Sequence, residues 1–179
     1  MTNWQEAIDA LNSDQIICHA TEGVFGLACR ADSQLACDRM VTLKQRPSSK
    51  GFIILPRDLA QISDWIEPLS DKDLNLLESS WPGHITFLIK KSRNCPTWLA
   101  SEFDTIAVRI SPHPQIQELL RTIDYPICST SANLSGQPTV NSLIQAKRLF
   151  PQIVILNGTT LGLEKPSQIF DLVSGQQLR

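Results

Sequence analysis

The sequence predicts an α/β fold. Segments with helical apolar spacing alternate with short strand-like segments along the whole chain, without internal repeats or low-complexity linkers. Two of the strand-like runs, 52–55 and 153–156, are apolar at every position. Successive side chains of a strand point to opposite faces of its sheet, so such runs need cover on both faces. We therefore expect helices or another sheet on each side of these strands.

The elements follow from local patterns of spacing, capping and turn residues. Helices are predicted at 3–12, 33–44, 57–66, 70–79, 114–122 and 141–149. Strands are predicted at 15–19, 52–55, 84–90, 105–110, 126–129, 152–156 and 168–173. Ser33 is a good N-cap for the second helix.

Two segments of this pattern carry further structural expectations. The run 81–87 has a helix stop and a Pro-Gly turn before a strand whose Phe87 packs in the core. We therefore assign 81–87 a structural role outside the site. In the strand over 105–110, Thr105 and Arg109 are an even number of residues apart, so both point to the same face.

Length and composition restrict the class of protein. The chain has 179 residues, 42% of them hydrophobic and 19% charged, which suits a single domain over 1–179. Neither a leader pattern nor an apolar run near the roughly 20 residues of a membrane span is found, so we expect a cytoplasmic protein. The five cysteines lack metal-ligand spacing and indicate reduced, mostly buried thiols. A net charge of −2 argues against an overall basic nucleic-acid binder.

The segment 126–139 combines a short apolar run with a dense set of uncharged polar residues. Gly136 and Pro138 disfavour a regular helix there. The polar residues are Ser129, Thr130, Ser131, Asn133 and Ser135. Such side chains, together with backbone N–H groups, can surround a phosphate or a carboxylate. The alternative is an ordinary polar turn.

A cluster of cations follows the predicted helix 33–44. Lys44, Arg46 and Lys50 occur within a short segment, and Pro47 favours unwinding of the last turn. Arg46 and Lys50 lie beyond the last apolar position of the helix, which suits phosphate binding. The alternative, strongest for Lys44, is that these cations stabilise the C-terminus of the helix.

Five motifs in a fixed order resemble the YrdC-like threonylcarbamoyl-AMP synthases of the TsaC type, in their short single-domain form. The motifs are T-E-x-V-F-G-L from Thr21, K-x-R-P from Lys44, W-P-G-x-x-T-F from Trp81, A-V-R ending at Arg109 and S-x-S-A-N-L-S-G from Ser129. The resemblance implies a twisted mixed sheet flanked by helices around a deep concave cleft. It also implies synthesis of threonylcarbamoyl-AMP and pyrophosphate from L-threonine, bicarbonate and ATP, with Mg²⁺ accompanying ATP. The product would serve threonylcarbamoyladenosine modification of tRNA through partner proteins.

The resemblance also implies roles for individual residues. Those expected to bind ATP are Lys44, Arg46, Lys50, Thr105, Ser131, Asn133, Thr139 and Arg179. Those expected to bind threonine are Thr21, Arg109 and Ser129. Within these sets we expect Arg46, Lys50, Ser131 and Asn133 to act directly in catalysis. For Arg109 the alternative is an exposed surface arginine.

Some positions depart from the family pattern or stay open. His19 stands where the family commonly has an aromatic residue, and Gly23 replaces a threonine. The three histidines are expected to pack or cap, although His19 borders the pocket and could titrate near neutral pH. Glu22 is either a carboxylate beside magnesium or a partner of a nearby cation. The segment 158–167 is either a mobile lid or a plain connection.

A different class of function is an RNA-binding module without nucleotide turnover, with weak tRNA binding as a further possibility for an enzyme. Such a module would spread cations and aromatic residues over an exposed face. Only 6% of the residues are aromatic, and the cations lie beside hydroxyl-rich segments. This pattern favours a small anionic ligand.

Overall fold

The computed structural model describes residues 3–45, 51–100, 102–163 and 166–179. The α-helices in this part are Trp4–Asn12 (α1), Gln34–Lys44 (α2), Asp71–Ser80 (α3), Pro114–Thr122 (α4) and Leu143–Leu149 (α5). The strands are Ile17–Ala20 (β1), Phe25–Arg30 (β2), Ile53–Leu55 (β3), Ile85–Lys90 (β4), Thr105–Val108 (β5), Ile127–Ser131 (β6), Val154–Ile155 (β7) and Gln168–Asp171 (β8). Within these residues, no helix combines the length and the apolar character needed to cross a membrane.

The eight described strands form one mixed sheet in the order β7-β1-β2-β6-β3-β5-β4-β8. The parallel pairs are β1 with β7, β3 with β5, and β4 with β8. The other neighbours are antiparallel. This arrangement confirms the expected mixed sheet flanked by helices.

Helices cover both faces of the sheet, as the fully apolar strands require. On one face α2, α3 and α5 pack over a core that includes Cys29, Ile54 and Val108. On the other face α1 and α4 pack over a second core that includes Ala28 and Leu55. Residues adjacent in sequence thus alternate between the two cores, as the pleat of a strand dictates.

Most predicted elements are confirmed within one or two residues at their ends. The N-cap of α2 is Ser33, whose hydroxyl accepts a hydrogen bond from the Ala36 N–H. The predicted packing role of 81–87 is also confirmed for its aromatic residues. Trp81 ends α3 and packs edge-on against Phe87, with ring centroids 5.5 Å apart.

Two structural predictions were wrong. The segment 57–66 contains a 3-10 helix, Leu59–Trp65, with a non-helical residue at Ile62, in place of a regular α-helix. The strand β2 was not predicted, because its Gly and Ala residues have low intrinsic strand propensity. Its position between β1 and β6, with five of its six residues buried, makes it a strand despite that composition.

The cysteines are buried, as the sequence predicted. All five belong to the core beneath α2, α3 and α5, and all are free thiols. Cys29, Cys37 and Cys128 lie close together where α2 packs on the sheet. The Sγ atoms of Cys37 and Cys128 are 3.9 Å apart. Burial raises the pKa of the Cys18 thiol to about 12, so this group stays protonated.

Candidate functional site

A pocket of about 390 Å³ opens on the sheet face that carries α1 and α4. Alternation along β6 explains its position. Ile127 belongs to the core under these helices, and Ser129 follows two residues later, on the same face. The helices α1 and α4 cover this face of the sheet at Ile127. The pocket lies farther along the same face, at Ser129, where no helix of the described residues covers the sheet.

Six of the eleven predicted site residues line this pocket. They are Thr21, Thr105, Arg109, Ser129, Ser131 and Arg179. They come from the β1–β2 connection, β5 and its end, β6, and the segment after β8. The structure thus brings together residues that are far apart in sequence.

Arg109 is not the exposed surface arginine of the alternative interpretation. Only 6% of it is exposed, and its Nη2 donates a hydrogen bond of 2.6 Å to Oε2 of Glu22. Glu22 is itself 1% exposed, and its Oε1 accepts a 2.5 Å hydrogen bond from the Ser111 hydroxyl. Of the two interpretations of Glu22, the structure supports the carboxylate that pairs with a cation.

The ionisation of Glu22 follows from these contacts. Burial alone would raise its pKa, but the charge of Arg109 and the hydrogen bond from Ser111 outweigh burial, and the pKa is lowered. Glu22 is therefore a carboxylate that holds the Arg109 guanidinium in a fixed orientation.

The excluded segment 81–87 does contribute to the pocket, through His84. The Nη1 group of Arg109 lies 3.3 Å from Nδ1 of His84. A guanidinium can only donate, so this ring nitrogen is the acceptor. Strands β4 and β5 are antiparallel, with Phe87 opposite Val108, so the register continues with Thr86 opposite Arg109. His84 lies two residues before Thr86 and is therefore a diagonal neighbour of Arg109 on the same face. The exclusion of His84 from the site was therefore wrong.

Arg109 retains capacity for a ligand. Among the described residues its guanidinium donates to Glu22 and His84, and the buried Nε–H has no protein partner. Unpaired buried N–H groups are rare in proteins. The described part of the chain therefore leaves one N–H group of Arg109 without an acceptor.

Lys44 holds the hydroxyl-rich segment 126–139 in place through hydrogen bonds. It is the last residue of α2 and is only 4% exposed. Its Nζ donates to the Ser131 carbonyl at 2.5 Å, the Asn133 carbonyl at 2.8 Å and Asn133 Oδ1 at 3.0 Å. An ammonium has three N–H groups, and these acceptors can use all three. The structure therefore shows Lys44 in contact with the protein, while its predicted role toward ATP stays a prediction.

Asn133 is engaged in the same network. Its Oδ1 also accepts from the Ser131 hydroxyl at 2.7 Å, and its Nδ2 donates to the Gln137 carbonyl at 2.5 Å. The backbone N–H groups of Asn133 and Ser135 donate to the carbonyls of Ser131 and Lys44, each at 3.0 Å. Asn133 thus connects Ser131 to the turn that follows β6 through its side-chain hydrogen bonds. These two backbone N–H groups are used within the protein, and the expectation that segment 126–139 surrounds an anion stays a prediction.

Arg179 is held in place beside the pocket. Its Nε donates to the Ser167 carbonyl at 3.1 Å, and its own carbonyl accepts from the Ile169 N–H at 3.0 Å. Burial lowers its pKa, and the positive charge of Arg109 lowers it further. Two guanidinium groups therefore influence one pocket, an arrangement that attracts anions.

Of the other predicted residues, one lies away from the pocket and two fall outside the described residues. Thr139 is exposed and does not line the pocket. Arg46 and Lys50 lie outside the described residues, so their roles stay predictions. Sequence reasoning missed Ser111 and Ser167, although Ser111 follows Arg109 by two residues and could have been found from that even spacing.

The segment 158–167 is tied to the site over its described part. The Leu163 N–H donates to the Glu22 carbonyl at 3.0 Å, and Nε2 of His113 lies 3.0 Å from the Thr159 carbonyl. These contacts connect the segment to the β1–β2 connection and to the N-terminus of α4. Both interpretations of this segment, a lid or a connection, stay open.

His19 does not titrate near neutral pH, contrary to one expectation. The residue is 0% exposed, and burial is the main reason that its pKa is lowered from 6.5 to about 4. Its Nδ1 lies 3.0 Å from the Ala20 carbonyl oxygen. His19 is therefore neutral at physiological pH.

This lowered pKa predicts an acid-sensitive fold. The unfolded chain binds a proton at His19 below pH 6.5 and the folded chain only below about pH 4, so stability is lost as the pH falls between these values. The loss from this group is about 3 kcal/mol at 1.36 kcal/mol per pKa unit. Urea unfolding of the wild type and His19→Phe at pH 7 and pH 4.5 measures it. The variant should lose clearly less stability on acidification, and equal losses would contradict the assignment.

The fold and the site define an α/β protein with a pocket that is lined by two arginines and a set of hydroxyl groups. A family model described as "Telomere recombination", named for Sua5, YciO and YrdC, matches residues 9–179. This chain belongs to the Sua5/YciO/YrdC family.

Close relatives share nearly the whole chain. A threonylcarbamoyl-AMP synthase of Vibrio cholerae is 41% identical over 181 residues, which cover 99% of this chain and 96% of the relative. A threonylcarbamoyl-AMP synthase of Serratia proteamaculans is 39% identical over 175 residues, which cover 96% of this chain and 93% of the relative.

Solved structures share the fold. Sua5 of P. abyssi in complex with L-threonine has a TM-score of 0.85 at 26% identity, over 94% of this chain and 50% of Sua5. This chain therefore spans about half the length of Sua5. YciO of E. coli has a TM-score of 0.80 at 24% identity, over 94% of this chain and 82% of YciO, which shows the fold alone.

Proposed function

We propose that this chain is an L-threonylcarbamoyladenylate synthase. The amine of L-threonine attacks bicarbonate and forms a carbamate with release of water. A carbamate oxygen then attacks the α-phosphorus of ATP, the bond from that phosphorus to the bridging oxygen breaks, and pyrophosphate leaves. The observation that supports this function best is the pocket in which Arg109 and Arg179 accompany the hydroxyls of Ser129 and Ser131.

The amino acid is assigned to the Arg109 side of the pocket. A carboxylate matches a guanidinium whose orientation is already set by Glu22 and His84. The solved P. abyssi Sua5 complex with L-threonine supports an amino-acid site in this fold. Thr21 and Ser129 line the same pocket and are the other two residues that we assign to the amino acid.

The triphosphate is assigned to the side of Ser131, Thr105 and Arg179. Arg46 and Lys50 complete this part of the proposal as phosphate ligands. A reaction between two bound substrates needs alignment and neutralised charge more than a protein nucleophile. In this assignment Lys44 and Asn133 contribute by holding the end of β6, where Ser131 lies.

Mg²⁺ enters the proposal as the counter-ion of ATP. Among the described residues, no group of three or more histidine, cysteine or carboxylate side chains could hold a metal ion. The Glu22 carboxylate is already engaged by Arg109 and Ser111. Mg²⁺ is commonly held by substrate phosphates and water with few protein ligands, which is the binding that fits this site.

The product would pass to partner proteins that modify tRNA, and weak direct binding of tRNA is part of the same proposal. We place the reaction in the cytoplasm, where the buried free thiols would remain reduced. The alternative of an RNA-binding module without turnover receives no support, because full-length relatives bear the name of a synthase.

The decisive assay is pyrophosphate release with ATP and magnesium. Release that requires both L-threonine and bicarbonate supports the proposal, and mass spectrometry should identify threonylcarbamoyl-AMP. Salt-sensitive RNA binding without such turnover would overturn it in favour of the RNA-binding module.

Replacing Arg46 by alanine should lower turnover by about 100-fold while the protein stays folded, because a directed cation on the transferring phosphate is lost. Circular dichroism and the same assay measure both quantities. Arg57→Ala is a matched control, because Arg57 is an exposed arginine paired with Asp58. Undiminished turnover in Arg46→Ala would remove Arg46 from the catalytic set.

A further inference from the structure

The tautomer of His19 is fixed by its surroundings. Its Nδ1 lies 3.0 Å from the carbonyl oxygen of Ala20, and a carbonyl can only accept a hydrogen bond. Nδ1 must therefore carry the hydrogen. A neutral imidazole has one N–H group, so Nε2 is left as an acceptor.

The only described hydrogen-bond partner of this Nε2 atom is the hydroxyl of Ser129, at 3.4 Å. Gly26 closes another side of the ring, because a Cβ at that position would lie 3.1 Å from Nε2. A hydroxyl has one hydrogen, and the acceptor nitrogen of His19 draws it away from the pocket. The lone pairs of Ser129 Oγ are then left for a ligand.

We propose that His19 is a positioning residue that turns Ser129 into a hydrogen-bond acceptor within the pocket. The ligand group it selects is an N–H or O–H donor, and, resting on the proposed function, this is the amine or the hydroxyl of the amino acid.

The tautomer is tested without any substrate. Long-range ¹H–¹⁵N NMR spectra of the histidine side chains, assigned with His19→Phe, should show His19 protonated at Nδ1 and bare at Nε2 at pH 7. A proton at Nε2 would overturn the proposal. This result holds whether or not the protein is a synthase.

The effect on binding is tested by kinetics with His19→Phe, Ser129→Ala and the double variant. Each single change should raise KM for L-threonine about tenfold, as expected for the loss of one hydrogen bond, and leave KM for ATP unchanged. The double variant should be no worse than Ser129→Ala, because both changes remove the same interaction. Independent, multiplying losses would overturn the proposal.

Two further variants separate positioning from packing. His19→Gln can present an amide oxygen to Ser129 and should recover part of the loss of His19→Phe. Ser79→Ala is the matched control, since Ser79 is an exposed serine of α3. An unchanged KM for L-threonine in His19→Phe would contradict the role. Absence of turnover in the wild type would instead count against the proposed function and leave the NMR result to decide the tautomer.

Discussion

Replacing Arg109 by lysine is expected to lower kcat/KM for L-threonine by about 100-fold while the positive charge is retained. The guanidinium donates to Glu22 and His84 from separate nitrogens and has further N–H groups. A lysine ammonium is a point charge and cannot donate in these separate directions at once. Contact with either Glu22 or the proposed substrate carboxylate is therefore lost. Steady-state pyrophosphate release at varied L-threonine measures the effect.

The matched control for this change is Arg121→Lys. Arg121 is an exposed arginine of α4 that pairs with Glu118, so the same substitution there should leave kcat/KM unchanged. Wild-type kcat/KM in Arg109→Lys would show that geometry at this position is unimportant and would remove Arg109 from the amino-acid site.

Replacing Lys44 by methionine is expected to lower the free energy of unfolding by about 2–4 kcal/mol. The substitution keeps most of the buried side-chain volume but removes a charged donor from the carbonyls of Ser131 and Asn133 and from Asn133 Oδ1. Buried acceptors that lose their donor are costly. Turnover should fall as well, since Ser131 lies at the end of β6 that Lys44 holds.

Urea unfolding measures the change, with Lys90→Met as the control. Lys90 is exposed and pairs with the partly exposed Glu67, so its loss should change the free energy of unfolding by about 0–1 kcal/mol. Equal stability of Lys44→Met and the wild type would mean that the hydrogen bonds of Lys44 contribute little to the free energy of unfolding and that Lys44 serves another role.

Local pattern was enough to predict most helices and strands. The helix α2 shows why, because its N-cap and its apolar spacing agree with the core it packs on. The strand β2 shows the limit of such reasoning. Its residues Gly26 and Ala28 are poor strand formers, and pairing on both sides with β1 and β6 decides the outcome.

The site shows a similar division. Arg109, Ser129 and Ser131 were predicted from motifs, and the structure places them in one pocket. Their partners could not be predicted in the same way. Glu22 meets Arg109 only because the β1–β2 connection reaches the end of β5, and His84 joins them because β4 pairs with β5. Such contacts depend on sheet topology, which spacing along the chain does not encode.

The buried pair of Glu22 and Arg109 joins positions 87 residues apart. We therefore expect a change at one position to be accompanied by a change at the other. A lineage that lost one partner would leave a lone charge in the interior, a change that costs about 3–5 kcal/mol. Loss of both is compatible with the fold but removes the proposed anchor for the substrate carboxylate. We expect the two positions to be inherited as a unit wherever descendants keep the ligand.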